Sequence, residues 1–288
     1  MNLAIIGVGY WGSKIAETAR LLPNITVKTF DIDDDYGTGR IDAAVIATPA
    51  ETHYDVTKKL LEQGIACLVE KPIADTLRKV QHLLGIAEAK NTVLQSGHIL
   101  LFTPTTEYIK RTFDIDNLKF VETRRLNFGN IPRHQIPLEH HLLIHDLALI
   151  DYIKQEKIID VQRSGRDILT TDYNDYIITN IDFETFSTTH HCSWFYPRKT
   201  RTVALSSNRE LVHVDDVDLQ VQHIHGRYTD RLINDSDRNV QLSDSASPLY
   251  RELEHFIASV EKQDNNSING LEHIERVYKN LERVTDVQ

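Results

Sequence analysis

The segment Gly7-Val8-Gly9-Tyr10-Trp11-Gly12 decides the fold of this chain. It follows a short apolar run, residues 2–6, and precedes residues 15–22, where apolar side chains recur at helical spacing. A strand, a glycine turn and a helix in this order are typical of a dinucleotide-binding domain. There the first glycine permits the tight turn, the second lets the backbone approach a diphosphate, and the third allows the helix to pack on the strand. The free N–H groups at the start of the helix then face the phosphates.

Strands and helices go on alternating after this turn. Strands are predicted at 25–30, 42–48, 65–69 and 92–96, and helices at 51–63 and 75–90. The alternation predicts an α/β fold with a parallel, doubly wound sheet. Only residues 32–41 separate the second and third strands, and they show no apolar helical face. Ten extended residues reach ~33 Å, enough to recross the sheet, so we expect a shortened Rossmann domain that lacks one strand–helix unit.

An acidic residue, Asp31, ends the second strand about 20 residues after the second glycine. A carboxylate here can accept hydrogen bonds from the ribose hydroxyls of NAD, and it repels the 2′-phosphate of NADP. The acidic residues 33–35 add to this repulsion, so NAD is the predicted cofactor and NADP the less favoured one. The alternative is a glycine turn in a Rossmann-like fold that binds no nucleotide.

The pattern changes after about residue 98. Helices are predicted at 104–113, 138–154, 248–262 and 270–284. Between about 158 and 225, β-rich runs separated by turn residues predict an antiparallel sheet. We therefore divide the chain into two domains, 1–98 and 99–288.

Composition excludes several classes of partner. The formal net charge is −10, so the chain is predicted to bind neither nucleic acid nor an anionic membrane surface. No apolar run approaches the ~18 residues that span a bilayer. The N-terminal segment has no basic leader, and two cysteines, Cys67 and Cys192, are too few for a disulfide framework. A cytoplasmic location is expected, with both thiols buried and inert.

Several motifs, in order along the chain, resemble those of the glucose–fructose oxidoreductase/inositol dehydrogenase (Gfo/Idh/MocA) family. In the first half they are the glycine turn, Ala47-Thr48-Pro49 with His53, Val69-Glu70-Lys71-Pro72-Ile73-Ala74, and Gly97-His98 with Phe102 and Pro104. In the second half they are His145-Asp146-Leu147, residues 193–201, and Pro248-Leu249 with Glu252, His255 and Phe256. Residues 193–201 resemble a segment of members that oxidise nucleotide-linked sugars.

The resemblance implies a Rossmann domain followed by an α/β domain with a large open, mostly antiparallel sheet. That sheet often forms the oligomer interface in the family, which implies a homodimer or homotetramer. The implied reaction is reversible hydride transfer between a nicotinamide and a carbinol carbon of a sugar, either nucleotide-linked or carboxylated. The implied cofactor-binding residues are Gly7, Gly9, Tyr10, Trp11, Gly12, Asp31, Thr48, Pro49, His53, Glu70 and Lys71.

By the same resemblance, Lys71 and His145 are the catalytic pair. A lysine ammonium lowers the pKa of an alcohol and stabilises the developing alkoxide, while a histidine accepts the proton. Family members commonly carry Asp four residues before this histidine, whereas this chain has His141. On a helix His141 and His145 share a face, and Asp146 lies about 100° round, where it is expected to cap or pack. The alternatives are a surface lysine and a hydrogen-bonded core histidine.

Polar residues on a predicted strand, 120–128, are candidates for binding substrate. Arg125 and Asn127 resemble the family's substrate-facing positions and, with His141, His145 and Lys199, form the predicted substrate site. The neighbouring Arg124, Gly129 and Arg201 belong to the same group. Surface ion pairing with the chain's many acids is the equal alternative for these cations.

No metal is predicted in the site. Helical histidines at i, i+4 spacing, such as His141 and His145, can bind zinc, but no Cys or Glu partner is placed by a motif. Two further pairs, His190-His191 and His223/His225, are expected on strands.

The predicted function is that of an NAD-dependent sugar dehydrogenase. Two alternatives stay open. One is a catalytically inactive, NAD-responsive regulatory protein, since the aspartate has been replaced and the Rossmann domain is shortened. The other is an imine or enone reductase on the same fold, which needs no base as strong.

Overall fold

The computed structural model describes residues 1–32, 34, 41–128, 136–169, 173–228, 232–244 and 246–287. The described residues contain thirteen strands, which are β1 (Asn2–Ile6), β2 (Thr26–Phe30), β3 (Ala43–Ile46), β4 (Ala66–Glu70), β5 (Leu94–Gly97), β6 (Phe120–Phe128), β7 (Ile158–Arg166), β8 (Tyr176–Phe183), β9 (Ser187–Ser193), β10 (Phe195–Ser206), β11 (Glu210–Asp215), β12 (Gln220–Tyr228) and β13 (Leu232–Gln241). The α-helices in those residues are α1 (Tyr10–Ala19), α2 (His53–Glu62), α3 (Leu77–Lys90), α4 (Pro104–Thr112), α5 (Ile144–Ile153), α6 (Pro248–Lys262) and α7 (Leu271–Thr285).

These elements form two compact units. The first comprises Met1–Phe102 and Ala246–Lys279, and the second comprises Thr103–Ser245 and Asn280–Gln288. The sequence-based division at residue 98 differs, because α6 returns to the first unit. Its fully buried Leu253 and Phe256 belong to the same apolar cluster as residues of β1.

The first unit is built on a five-stranded parallel sheet in the order β2-β1-β3-β4-β5. All four residues of β3 are buried, as expected for a strand covered on both faces. The predicted α/β fold with a parallel sheet is therefore confirmed. In the described residues β2 pairs with β1 alone and forms an edge of the sheet. The predicted helix-free connection from β2 to β3 includes residues 33 and 35–40, which lie outside the described residues.

The second unit contains an eight-stranded sheet in the order β13-β12-β11-β10-β6-β9-β8-β7. Neighbouring strands are antiparallel except β6 and β9, which run parallel, so the predicted large and mostly antiparallel sheet is confirmed. The sheet extends beyond the predicted end at residue 225, through β13. The helix predicted at 138–154 begins as a π-helical turn, Glu139–Leu143, and continues as α5.

Cys67 and Cys192 are both free and buried, as predicted. Burial raises the pKa of each thiol, so neither is a reactive thiolate. None of the described helices combines the length and the hydrophobicity that a membrane span requires.

Candidate functional site

The glycine turn after β1 requires glycine at two positions for its own geometry. Gly7 has φ +94°, a left-handed conformation that disfavours other residues. A Cβ on Gly12 would lie 1.8 Å from the carbonyl oxygen of Gly7, so the first turn of α1 can approach β1 only without a side chain there. Both glycines therefore fix the close contact of α1 with β1.

Gly9 has a different role. Its φ of −64° and ψ of −169° suit any residue, and a Cβ built on it would meet no described atom within 4 Å. Gly9 is the N-cap of α1, and among the described residues no side chain caps this helix. The first N–H groups of α1 thus point to a space that a side chain at position 9 would narrow. This arrangement fits the diphosphate of a dinucleotide.

We expect Gly9→Ala and Gly12→Ala to fail in different ways. Gly9→Ala should keep the thermal midpoint close to that of the parent while weakening NADH binding at least tenfold, because the new methyl group occupies the diphosphate space. Gly12→Ala should lower the midpoint strongly, because its methyl group overlaps a backbone oxygen. Thermal unfolding and NADH fluorescence titration measure the two effects. Unchanged NADH affinity in Gly9→Ala would contradict the assignment of this space.

The turn is tied to the end of β2, where Asp31 lies. The Gly7 N–H donates to the Phe30 carbonyl oxygen at 2.8 Å. Asp31 itself is exposed, and its Oδ1 accepts the Ile32 N–H at 2.9 Å. An exposed carboxylate is thus held next to the diphosphate space, where the ribose of NAD was predicted. Tyr10, also a predicted cofactor residue, is 80% exposed in the first turn of α1.

Two loops at the carboxyl edge of the sheet carry the remaining predicted cofactor residues. One, with Thr48 and Pro49, follows β3, and the other, with Lys71, follows β4. His53 joins them, because its Nδ1 and Nε2 lie 2.8 Å from the carbonyl oxygens of Pro72 and Thr48 respectively. Burial lowers the pKa of His53, although the two carbonyl oxygens oppose the shift. This buried histidine therefore connects the two loops through hydrogen bonds. Its contact with the cofactor stays a prediction.

Glu70, which precedes Lys71, connects the loop after β4 to the glycine turn. The Trp11 indole N–H donates to Glu70 Oε1. Burial raises the pKa of Glu70, while the Trp11 hydrogen bond and the Lys71 charge oppose the shift. A second carboxyl group, Glu252 on α6, is 1% exposed, and its pKa is raised by burial and by the charge of Glu70. The sequence placed Glu252 in a motif but assigned it no role.

A buried histidine, His98, follows β5 in the same unit. Its ring lies edge-on to that of His273, with 5.6 Å between the ring centroids. Burial lowers the pKa of His98 well below its usual value, and the charges of His273 and Lys71 lower it further. The Lys71 ammonium thus interacts electrostatically with the buried Glu70 carboxyl group and with the buried His98 imidazole, which burial keeps neutral.

The second unit holds the predicted histidine pair. His141 lies in the π-helical turn and His145 in the first turn of α5, and both are partly buried. The Trp194 indole N–H donates to His141 Nδ1 at 3.4 Å. A hydrogen bond accepted at Nδ1 places the proton of a neutral His141 ring on Nε2. π-Helical turns are frequent at functional sites.

Asp146 lies in a buried polar network with Arg125 and Thr123. It is 0% exposed and pairs with Arg125 Nε, and the Thr123 hydroxyl donates to its Oδ2 at 2.8 Å. Since the hydroxyl proton of Thr123 goes to Asp146, Thr123 accepts from His190 Nδ1–H, also at 2.8 Å. Burial lowers the pKa of His190 to about 4, so its imidazole is neutral. The expectation that Asp146 packs is met by this network.

The four cations proposed for substrate have different environments. Arg125 is 6% exposed and bound to Asp146, so the structure places it neither on the surface nor in an exposed substrate position. Arg201 donates from Nη2 to Asn127 Oδ1 at 2.8 Å, and burial lowers its pKa to about 10. Arg124 is exposed and paired with Glu122. Lys199 is exposed and, within the described residues, has no ion pair of this kind. Gly129 lies outside the described residues.

Lys71 belongs to the first unit, and His141 and His145 belong to the second. Their joint action on one substrate stays a prediction.

Comparison with known proteins supports the cofactor. Residues 16–98 match the model of the Gfo/Idh/MocA family, described as an oxidoreductase family with an NAD-binding Rossmann fold. NAD as the predicted cofactor is confirmed by this match.

One relative and two solved structures are informative. UDP-N-acetylglucosamine 3-dehydrogenase of Acidithiobacillus ferrooxidans is 30% identical over 125 residues, which are 43% of this chain and 40% of the relative. The aligned part thus spans well under two thirds of that relative. The solved structure of this dehydrogenase covers 99% of the chain and 96% of its own length, with a TM-score of 0.87 and 22% identity. An inositol dehydrogenase homologue of Azotobacter vinelandii, solved with NADH and myo-inositol, covers 98% of the chain and 94% of its own length at 16% identity, with a TM-score of 0.83.

Proposed function

We propose that the chain is an NAD-dependent sugar dehydrogenase of the Gfo/Idh/MocA oxidoreductase family, whose model residues 16–98 match. The reaction is hydride transfer between the nicotinamide and a carbinol carbon of the sugar. One observation carries the proposal. Lys71 follows β4 at the carboxyl edge of the sheet whose β1 leads into the diphosphate-binding turn, and ligands of doubly wound sheets bind at this edge.

Bound NAD supplies the hydride acceptor. The chain supplies the proton chemistry. Lys71 hydrogen-bonds the reacting hydroxyl oxygen and stabilises the negative charge that develops there. His145 takes the hydroxyl proton as the C–H bond breaks, and returns it in the reverse direction. His141 holds a neighbouring substrate oxygen through Nε2–H.

We propose a nucleotide-linked sugar as substrate. The relative from Acidithiobacillus ferrooxidans is named for UDP-N-acetylglucosamine, and the segment around Trp194 resembles members that act on such substrates. Lys199 offers an exposed ammonium on β10 for a diphosphate or a carboxylate. A carboxylated sugar is the next substrate to test.

The test has two stages. A thermal-shift screen of the full chain with NADH, NADPH and a panel of UDP-, GDP- and TDP-sugars identifies ligands, since stabilisation grows as RT ln(1 + [L]/Kd). NADH formation is then followed by absorbance with NAD and each stabilising sugar. Turnover with one of them supports the proposal. Binding of NADH and sugars without turnover would instead favour the regulatory alternative, and reduction of an imine or enone would favour the reductase.

We expect NADH to bind at least tenfold more tightly than NADPH, because the exposed carboxylate of Asp31 repels a 2′-phosphate. Asp31→Asn should narrow the difference, mainly by improving NADPH binding. Glu62→Gln is the matched control, since it neutralises an exposed carboxylate that pairs with Lys58 on α2. Fluorescence titration of both nucleotides measures the ratio. Tighter binding of NADPH by the parent chain would refute the assignment.

We also propose a homodimer or homotetramer that forms through the larger sheet, and a cytoplasmic location. Phe128 and Phe195 support the first part, because their stacked rings are 65% and 43% exposed on neighbouring strands β6 and β10. The free thiols of the two cysteines fit a reducing compartment.

A further inference from the structure

Three metal-ligating side chains meet on the larger sheet, and none of them was predicted to take part in hydride transfer. They are Glu210 on β11 and His223 and His225 on β12. Each offers one ligand atom, and these atoms all lie within 4.8 Å of one another. The sequence analysis expected these histidines on a strand and assigned them no ligand.

The strand register explains why they meet. In the antiparallel pairing of β11 with β12, Glu210 lies opposite His225. His223 is two residues before His225, so both side chains lie on the same face of β12. His223 Nε2 is 2.8 Å from Glu210 Oε2, and His225 Nδ1 is 3.8 Å from the same oxygen. The two imidazole rings stack with 4.3 Å between their centroids.

Neighbouring groups orient two of the three ligands. The Tyr108 hydroxyl on α4 lies 3.1 Å from His223 Nδ1, which directs the Nε2 of that ring to Glu210. The Asp114 N–H donates to Glu210 Oε1 at 2.6 Å, which leaves Oε2 for the histidines. Hydrogen bonds to the outer atoms of ligating side chains are a regular feature of metal sites, where they fix tautomer and ring orientation.

Burial differs among the three residues in a way that suits an open metal site. Glu210 and His223 are 8% and 4% exposed, whereas the His225 side chain is 44% exposed. A buried carboxylate and a buried imidazole provide a rigid base, and solvent reaches the third ligand. A water molecule can therefore complete the coordination.

We propose that Glu210, His223 and His225 bind a divalent transition-metal ion, with zinc the best fit. Two imidazole nitrogens and one carboxylate oxygen are ligands of zinc, and three protein ligands with one water form a four-coordinate site. At ligand distances of about 2.1 Å, the ligand atoms of a tetrahedron are about 3.4 Å apart. The observed separations of 2.8 and 3.8 Å from Glu210 Oε2 lie on either side of this value. The ligand atoms of the two histidines lie within 4.8 Å of each other, so side-chain adjustments would bring the three ligands to one ion.

The site joins β11, β12 and α4 within the second unit, so we assign it a structural role that goes beyond the proposed dehydrogenase activity. The competing explanation is an ion pair between Glu210 and a protonated His223. That ion pair does not involve His225. Replacing His225 should therefore weaken metal binding if the three residues form a metal site, and should have no such effect if they form only the ion pair.

The test uses the full chain, stripped of metal with a chelator and titrated with Zn²⁺ and with Co²⁺. We expect one high-affinity equivalent of either ion, a rise in the thermal midpoint with Zn²⁺, and the visible absorption of four-coordinate Co²⁺. His225→Ala and Glu210→Gln should each weaken Zn²⁺ binding at least tenfold and abolish that absorption. His213→Ala is the matched control, because His213 is exposed on β11 and points to the opposite face from Glu210.

His225→Ala is the decisive variant, because its half-exposed side chain can be removed with little effect on folding, which circular dichroism checks. Zn²⁺ affinity equal in His225→Ala and the parent would overturn the proposal. So would the absence of saturable Zn²⁺ and Co²⁺ binding, or a loss of binding in His213→Ala equal to that in His225→Ala. Such results would leave the ion pair of Glu210 with His223 as the explanation.

Discussion

Replacing Lys71 with methionine is expected to lower kcat at least ~10²-fold on the identified sugar, with the Kd for NADH unchanged within a few-fold. Methionine keeps most of the side-chain volume and removes the ammonium. The developing alkoxide then loses its charge stabilisation, whereas the diphosphate still meets the glycine turn and the start of α1. Steady-state kinetics at 340 nm and NADH titration measure the two quantities separately.

Lys58→Met is the control for this substitution. Lys58 also lies in the first unit, but on α2, where its ammonium pairs with Glu62 in an exposed i, i+4 arrangement. It should leave both kcat and NADH affinity unchanged. Wild-type turnover in Lys71→Met would remove this lysine from the mechanism and would favour its interpretation as a surface lysine.

The second large effect concerns stability. Asp146→Ala is expected to lower the free energy of unfolding by ~3–5 kcal/mol, because Arg125 would remain buried with an uncompensated charge. The Thr123 hydroxyl would lose its acceptor as well. Urea unfolding followed by circular dichroism measures the change.

Glu122→Gln provides the matched comparison, because Glu122 lies on β6, the strand that carries Arg125. It breaks the exposed ion pair with Arg124, which should contribute less than ~1 kcal/mol. If Asp146→Ala were as mild as Glu122→Gln, the Asp146 network would not anchor α5 to the sheet. Asp146→Asn, which keeps the shape of the side chain, should lie between the two because it still accepts the Thr123 hydrogen bond.

The first unit was well predicted from the sequence because its signals are local. Buried parallel strands read as short apolar runs, and the glycine turn lies directly between β1 and α1. The return of α6 to this unit was not predicted, since an amphipathic helix does not specify which sheet its apolar face will cover. Only the packed positions of Leu253 and Phe256 reveal it.

The second unit was predicted less completely. β13 (Leu232–Gln241) is an edge strand, and most of its residues are exposed, so its sequence lacks the alternation that marks a half-buried strand. The buried pair of Arg125 with Asp146 joins two elements whose relation depends on the fold. The same holds for Glu210 and His223, which meet only because of the register of β11 with β12. No local pattern contains these contacts.

The two tryptophans of the chain make each unit separately observable by fluorescence. Trp11 belongs to the first unit and donates its indole N–H to Glu70, next to Lys71. Trp194 belongs to the second and donates to His141. Each indole thus contacts a residue that is next to, or part of, the set proposed to take part in the reaction. Trp194→Phe leaves Trp11, whose emission is expected to report nucleotide binding, and Trp11→Phe leaves Trp194, whose emission is expected to report sugar binding. The same two single-tryptophan proteins show by fluorescence the order in which the two units unfold.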